Sequence, residues 1–353
     1  MATITAVKYV QDLLKIAVSK QASDLHLLVS KPPVLRINGE LIELTEYPIL
    51  TADSIQKLIF SILDKQQQER FIADKELDLS YELPNVARFR INTHFEKQNM
   101  GLVARVISNN VPTMEELNMP EIAYQLARLK QGLILVTGPT GSGKSTSLAS
   151  MINLINKERS AHIVTLEDPV EFLFTSDKSY IRQRQLYDDF LSFPEALKHV
   201  VRQDPNIIMV GEMRDLETIA AAITVAETGH LVLATLHTLD ASQTIDRIVD
   251  VFPPHQQEQI RLQMSMELRA VISQQLIPAL HGGRIAAREI LINTPAVANL
   301  IRENKMTQLK TVLQTSAEEG MNTMDQDLQK LYDQGLISEE TANAFMLRPE
   351  SLK

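Results

Sequence analysis

The sequence predicts an α/β core preceded by a smaller α+β domain. Two patterns and one turn carry that expectation. Up to about residue 110, apolar and polar positions alternate in short runs between helical stretches, as in an antiparallel sheet with one wet face. From Gly132 onward the runs become continuously apolar and are separated by helices, as in a parallel sheet covered on both sides. A glycine-rich turn, 138–145, falls between the first such run and its helix. At 353 residues the chain is long enough for two domains of roughly 100–200 residues each.

In chain order, Ile4, Val7, Val10, Leu13, Leu14, Ala17 and Val18 recur at helical spacing, so residues 4–20 form an amphipathic first helix. Ser23-Asp24 ends it, and 25–29 reads as a short strand. Residues 34–37 and 40–44 flank Asn38-Gly39, a pair suited to the left-handed backbone of a hairpin turn. Thr51 and Ser54 open helical stretches that run to about Ala73. Residues 77–82, 88–95 and 102–106 alternate like antiparallel strands. The first domain therefore spans 1–110, and Asn109-Asn110-Val111-Pro112 opens a linker over 111–120.

The second domain, 121–353, has a different rhythm. Residues 132–137 (GLILVT) form an unbroken apolar run, expected of a strand buried on both faces, and a helix follows to about Asn156. Strand-like runs recur at 162–166, 207–210 and 231–234 with helices between them, which argues for a parallel sheet. Beyond about Pro254 the chain is expected to be mostly helical.

Composition narrows the class. Hydrophobic residues make up 44% and charged residues 22%, an ordinary globular mixture. No apolar run approaches the ~20 residues of a membrane-spanning helix, and the N-terminus lacks the layout of a signal peptide. The absence of cysteine excludes disulfides and thiolate zinc sites. A cytoplasmic protein with no direct membrane insertion is expected. The net charge of −9 opposes nucleic-acid binding, which calls for a basic excess.

Gly138-Pro139-Thr140-Gly141-Ser142-Gly143-Lys144-Ser145 matches the phosphate-loop pattern G-x-x-x-x-G-K-[ST] without a gap, and Thr146 continues into the helix. Glycines let the backbone curl so that N–H groups face phosphate oxygens, and the helix adds its positive end. Lys144 supplies a cation for the β- and γ-phosphates, and the Ser145 hydroxyl is placed for Mg²⁺. The ligand expected is Mg-ATP. Two acidic clusters follow strands: Glu167-Asp168-Pro169-Val170-Glu171 and Gly211-Glu212. Hydrolysis needs one acid at the metal and one to orient water. Glu212 suits the first task, and Glu171 or Glu167 the second. His230 and His237 flank the run 231–234, and His237 follows it at the end where phosphate sensors are useful.

These stretches together resemble the type IV pilus retraction ATPases, a branch of the type II/IV secretion ATPases. The matching segments are 22–27 (ASDLHL), 86–92 (VARFRIN), the loop itself, 165–171 (TLEDPVE), 210–218 (VGEMRDLET), 228–238 (TGHLVLATLHT) and 294–303 (TPAVANLIRE). The resemblance covers nearly the whole chain. It implies a PAS-like N-terminal domain, a RecA-like ATPase domain and a homohexameric ring that powers pilus retraction and twitching motility. It places Lys144 on phosphate, Glu212 with Ser145 at Mg²⁺, and Glu171 ahead of Glu167 as base. It pairs His230 with His237, and matches Arg88, Arg90 and Arg105 to N-terminal arginines that reach toward nucleotide. It implies an inner-membrane pilus platform protein and a paralogous pilus ATPase as partners, with the ring peripheral at the inner face of that membrane. An accessory retraction ATPase and an assembly or secretion ATPase of the same superfamily are the alternatives; the latter usually carries a long N-terminal extension and a tetracysteine site. Two positions depart from the family pattern: Tyr187 stands where glycine is usual, and Ala298 where arginine is frequent.

Overall fold

The computed structural model describes residues 2–37, 39–84, 86–107 and 110–348. Asn38 of the expected Asn-Gly turn, Asn109 of the expected linker and the side chain of Ile4 lie outside what is described. The chain divides into two units, Met1–Asn110 with Pro169–Leu173, and Val111–Asp168 with Phe174–Lys353.

In the first unit, α1 (Ala2–Ser19), β1 (Asp24–Leu27), β2 (Val34–Ile37) and β3 (Glu40–Glu43) are followed by α2 (Ala52–Ile62) and α3 (Lys65–Asp74). β4 (Glu76–Leu83), β5 (Ala87–Glu96) and β6 (Asn99–Ile107) complete it. Among the described residues these strands form one antiparallel sheet in the order β3-β2-β1-β6-β5-β4. Period-two alternation sends Leu25, Ile91 and Ala104 into a core shared with Leu13, Leu14, Ile55 and Ile59 of the helices. Ser54 opens no second helix: Thr51 and Ser54 form a capping box at one helix start, and Asp64 with Gln67 forms another for α3.

The second unit contains α4 (Glu121–Ala127), β7 (Gly132–Thr137), α5 (Lys144–Glu158), β8 (His162–Glu167), β9 (Tyr180–Gln185) and α6 (Phe193–Val200). β10 (Ile207–Val210), α7 (Leu216–Glu227), β11 (Leu231–Leu236), α8 (Ala241–Asp250) and α9 (Pro254–Glu267) come next. Then follow β12 (Leu268–Pro278), β13 (Arg284–Ile292), α10 (Pro295–Arg302), α11 (Leu309–Thr315), α12 (Met324–Asp333) and α13 (Glu339–Phe345). The sheet order is β13-β12-β7-β11-β10-β8-β9, parallel throughout except for β13. β7 explains its unbroken apolar sequence: Leu133 and Leu135 pack into the core on one face, Ile134 and Val136 into the core on the other. Truncating one of them, as in Leu135→Ala, costs about 2–5 kcal/mol.

The expectation of a mostly helical tail beyond Pro254 is corrected here. β12 and β13 supply an inner strand and an edge of the main sheet. Ser273 and Gln274 in β12 and Arg288 and Glu289 in β13 interrupt the apolar pattern by which buried strands are recognised. β9 was likewise not anticipated, because its sequence YIRQRQ is mostly polar at the sheet edge. Residues 111–120 pack into the second unit, with Met114 and Met119 buried in its core.

Candidate functional site

Four strands of the second unit end side by side. Thr137 of β7 pairs with Leu236 of β11, and Val210 of β10 pairs with Ala234 on one side and Leu166 of β8 on the other. The carboxyl ends of parallel strands gather functional groups because the loops that leave them converge.

The glycine loop leaves β7 there. Gly138, Gly141 and Gly143 have φ of 142°, 79° and 85°, a region that side chains with Cβ avoid. A Cβ on Gly138 would collide with the carbonyl oxygen of Gln274. Pro139, Thr140 and Ser142 complete the turn. Gly143 caps α5 without a side-chain hydrogen bond, so the first-turn amides of Lys144, Ser145 and Thr146 face outward as donors. The Ser142 hydroxyl is buried without a partner.

Lys144 is buried, and its ammonium donates to the carbonyls of Gly138 at 2.8 Å and Pro139 at 3.0 Å. It also lies 3.4 Å from Nδ1 of His237. An ammonium only donates, so Nδ1 accepts and the imidazole proton belongs on Nε2, which donates to Glu212 Oε1 at 2.9 Å. Arg214 Nε donates to the same oxygen at 2.7 Å. Burial alone would raise the Glu212 carboxyl. The hydrogen bond and charge of Arg214, with the neighbouring His237 and the charge of Lys144, outweigh that and hold it below the usual carboxylate range. Lys144, His237, Glu212 and Arg214 thus form one charged chain at the strand ends.

The other acids are placed differently. Glu167 closes β8, is buried, and accepts from Thr165 Oγ1 at 2.6 Å and from Gln183 Nε2 at 3.1 Å. Gly211 packs beside it, donating to the Leu166 carbonyl at 2.7 Å. Glu171 is exposed and belongs to Pro169–Leu173, which groups with the first unit.

His230 flanks β11 as expected, at the end opposite His237. It precedes β11, its carbonyl accepts from Gly132 at the start of β7, and its Nδ1 lies 3.0 Å from the Thr228 hydroxyl. It sits at the amino end of its strand, about 23 Å along the strand from His237 at roughly 3.3 Å per residue. Within the unit, the structure does not bring His230 to the loop; the intervening apolar strand, buried in the core, separates the two ends.

In the first unit, cross-strand register aligns Arg36, Asp24, Arg105, Arg90 and Ser80 in one row on the face opposite the core. Asp24 and His26 of the DLHL strand point to this face while Leu25 and Leu27 point inward. Asp24 is 6% exposed and grips Arg105 Nε at 2.8 Å, whereas the Arg105 side chain stays 66% exposed. Arg88 shares the face on β5, and its Nε is buried without a partner.

Sequence reasoning missed two residues near the loop, Gln274 and Arg214, and one beside Gln274 on the next strand, Arg288. Gln274 is 1% exposed; its Nε2 donates to the Ser142 carbonyl at 2.7 Å and its Oε1 accepts from Ser147 Oγ at 2.9 Å. Nothing in the sequence links position 274 to a loop more than a hundred residues earlier. Arg214 carried a signal, two residues past Glu212. Arg288, the cross-strand partner of Gln274, carried none.

A curled glycine loop at a helix start, with a lysine and a carboxylate beside it, is a site for a phosphate-bearing ligand. The Ser145 hydroxyl and the Glu212 carboxylate are hard oxygen donors of the kind Mg²⁺ takes, so these residues fit that ion. Known proteins agree with this class. The family described as "Type II/IV secretion system protein" matches residues 3–343. The chain is 46% identical to the type IV pilus retraction ATPase PilT of Pseudomonas aeruginosa, over 97% of this chain and 99% of that one. It is 49% identical to a twitching motility protein of Neisseria gonorrhoeae, over 91% of this chain and 86% of that one. A crystal structure of the pilus retraction motor PilT with bound ADP superposes with a TM-score of 0.90 at 44% identity, covering 97% of this chain and 98% of that one. The chain therefore belongs to the type II/IV secretion ATPase family. Its fold is that of these ATPases, a RecA-like core with a smaller PAS-like α+β domain.

Proposed function

We propose that this chain is the ATP-hydrolysing motor of type IV pilus retraction. The observation that carries the reading is the end-to-end match to a retraction ATPase, joined to the linked Lys144, His237 and Glu212 at the glycine loop. The amides of the loop and of the α5 start bind the β- and γ-phosphates. Lys144 then exchanges the carbonyls of Gly138 and Pro139 for phosphate oxygens, and its departure frees Nδ1 of His237 to report occupancy to Glu212. When bound, Mg²⁺ held by Ser145 and Glu212 neutralises charge that develops on the phosphates. Glu171 orients the attacking water, and Glu167 supports the strand end.

Arg88, Arg90 and Arg105 lie outside the unit that carries the loop, so they serve a phosphate only if their domain folds over a nucleotide site in its own or a neighbouring protomer. A head-to-tail interface closes into a cyclic assembly and supplies such a contact at every site. The active species is accordingly a homohexamer, located in the cytoplasm at the inner face of the inner membrane. There it acts on a pilus platform protein, with a paralogous pilus ATPase as a further partner. No helix among the described residues is long and apolar enough to cross a membrane.

Two experiments test this. Cells lacking the gene should be hyperpiliated and unable to twitch; normal retraction in such cells overturns the reading. Light scattering with Mg-ATP should give six times the 39.7 kDa chain mass; a fully active monomer removes the ring.

A further inference from the structure

The β12–β13 hairpin carries two buried polar side chains that the proposed reaction does not use. They are directly opposite each other: Gln274 pairs with Arg288. Opposed residues of antiparallel strands project to the same face. Here the face is the one that packs α5 and the segment before α4, since Ile272 and Ile290 of the same strands share a core with Met114, Met119 and Leu148. From this shared position the two side chains reach in different directions.

Gln274 reaches the glycine loop. Its amide bridges the Ser142 carbonyl and the Ser147 hydroxyl, spanning the turn and the first turns of α5. Its backbone carbonyl occupies the space that Gly138 leaves by lacking a Cβ. Any change in the curl of the loop must therefore displace β12 or break these bonds.

Arg288 reaches the connector that leads into α4, within the second unit. Its two terminal nitrogens donate to the carbonyls of Asn118 at 3.0 Å and Leu117 at 2.9 Å. Asn118 has φ of 47°, and the turn is closed by amides of Leu117, Asn118 and Met119 bonded to Thr113, Glu115 and Met114. The guanidinium is buried, and its Nε finds no partner. A buried cation, offset by the nearby carboxylate of Asp327 and aimed at two carbonyls, is an expensive way to hold a loop that apolar packing could hold, which points to a role in transmission rather than in stability alone.

We propose that Gln274 and Arg288 are positioning residues that couple the shape of the glycine loop to the connector at Leu117–Asn118, so that nucleotide occupancy is felt in the segment that leads into α4. The inference rests on the reading that the loop binds nucleotide. It names the path by which binding leaves the site: loop, Gln274, the hairpin rung, Arg288, connector.

Hydrogen exchange of the full chain, with and without ADP, reads the far end of this path. In the wild type, saturating ADP should change exchange at the amides of Leu117, Asn118 and Met119 by at least about threefold, a local opening effect. Arg288→Met should abolish that change while leaving affinity for a fluorescent ADP analogue within about threefold. Gln274→Ala should abolish it too, and the double variant should lose nothing further, as expected for two members of one path. Arg288→Lys, which keeps the cation, guards against misfolding of the Met variant and should retain part of the response; thermal unfolding checks all four. An ADP response that persists undiminished in folded Arg288→Met or Gln274→Ala overturns the coupling, as does a wild-type connector indifferent to bound ADP. Failure of the wild type to bind ADP at all would instead remove the nucleotide reading, and the coupling with it.

Discussion

The two sheets handle charge in opposite ways. The second unit brings its ionic groups to one end, where Lys144, His237 and Glu212 leave three neighbouring strands or their loops and bond to one another. The first unit lays its ionic groups across a face, with Arg36, Asp24, Arg105 and Arg90 in one cross-strand row. Topology decides this. Parallel strands buried on both faces can expose polar groups only at their ends, whereas an antiparallel sheet with one covered face can present them along its whole width. A site at strand ends encloses its ligand; a row on a face waits for something to be brought to it.

Substitutions can break or sharpen that contrast. Lys144→Ala should have the largest effect, abolishing hydrolysis and most nucleotide binding. Turnover within a factor of about three of wild type, roughly 0.65 kcal/mol of barrier, would refute the end-of-strand site. Glu212→Gln should keep ATP binding yet slow turnover at least about a hundredfold, roughly 2.7 kcal/mol. Glu171→Gln should act likewise. Glu167→Gln should do less, because a glutamine oxygen can still accept from Thr165 and Gln183. Single-turnover rates beside equilibrium ATP binding separate these cases, and a more damaging Glu167→Gln reverses the two roles.

On the face of the first sheet, Arg105→Ala should lower turnover at least about tenfold, about 1.4 kcal/mol, and should also lower the unfolding temperature, because buried Asp24 loses its close ion-pair partner. Asp24→Asn should give a weaker effect of the same kind by loosening the grip on Nε. If Arg88, Arg90 and Arg105 variants are all fully active, the row has no part in catalysis. The smallest effect belongs to Tyr187. It adopts φ of 68°, and its amide donates to the Phe190 carbonyl at 2.7 Å, so the turn keeps a glycine-like backbone under a tyrosine. Tyr187→Gly should stabilise the fold by about 0.5–1 kcal/mol in denaturant unfolding, since the left-handed penalty exceeds the entropy lost with glycine.

The sequence was most informative where one residue type has one physical use. The loop glycines, Lys144 and the unbroken apolar run of β7 announce themselves, and the first sheet was legible from alternation alone. It was least informative where a contact joins distant segments. Gln274 touches Ser142 and Ser147 only because β12 enters the sheet beside β7, and that placement was hidden by the very polar residues that make it useful. His230 shows the converse: it shares a short segment with His237, but a buried strand holds the two at opposite ends.

The position of β7 also sets an order in time. It lies between β11 and β12, and both of these neighbours are made later in synthesis, the nearer by roughly a hundred residues. A nascent chain that already contains Lys144 has neither flank of the strand that carries the loop, and lacks the glutamine that fixes the loop's curl. Nucleotide therefore cannot serve as an early template for this domain. The pocket is finished by the hairpin that holds the last strands of the sheet, and chains stopped short of β12 should emerge with the motif intact and no capacity to hold a phosphate.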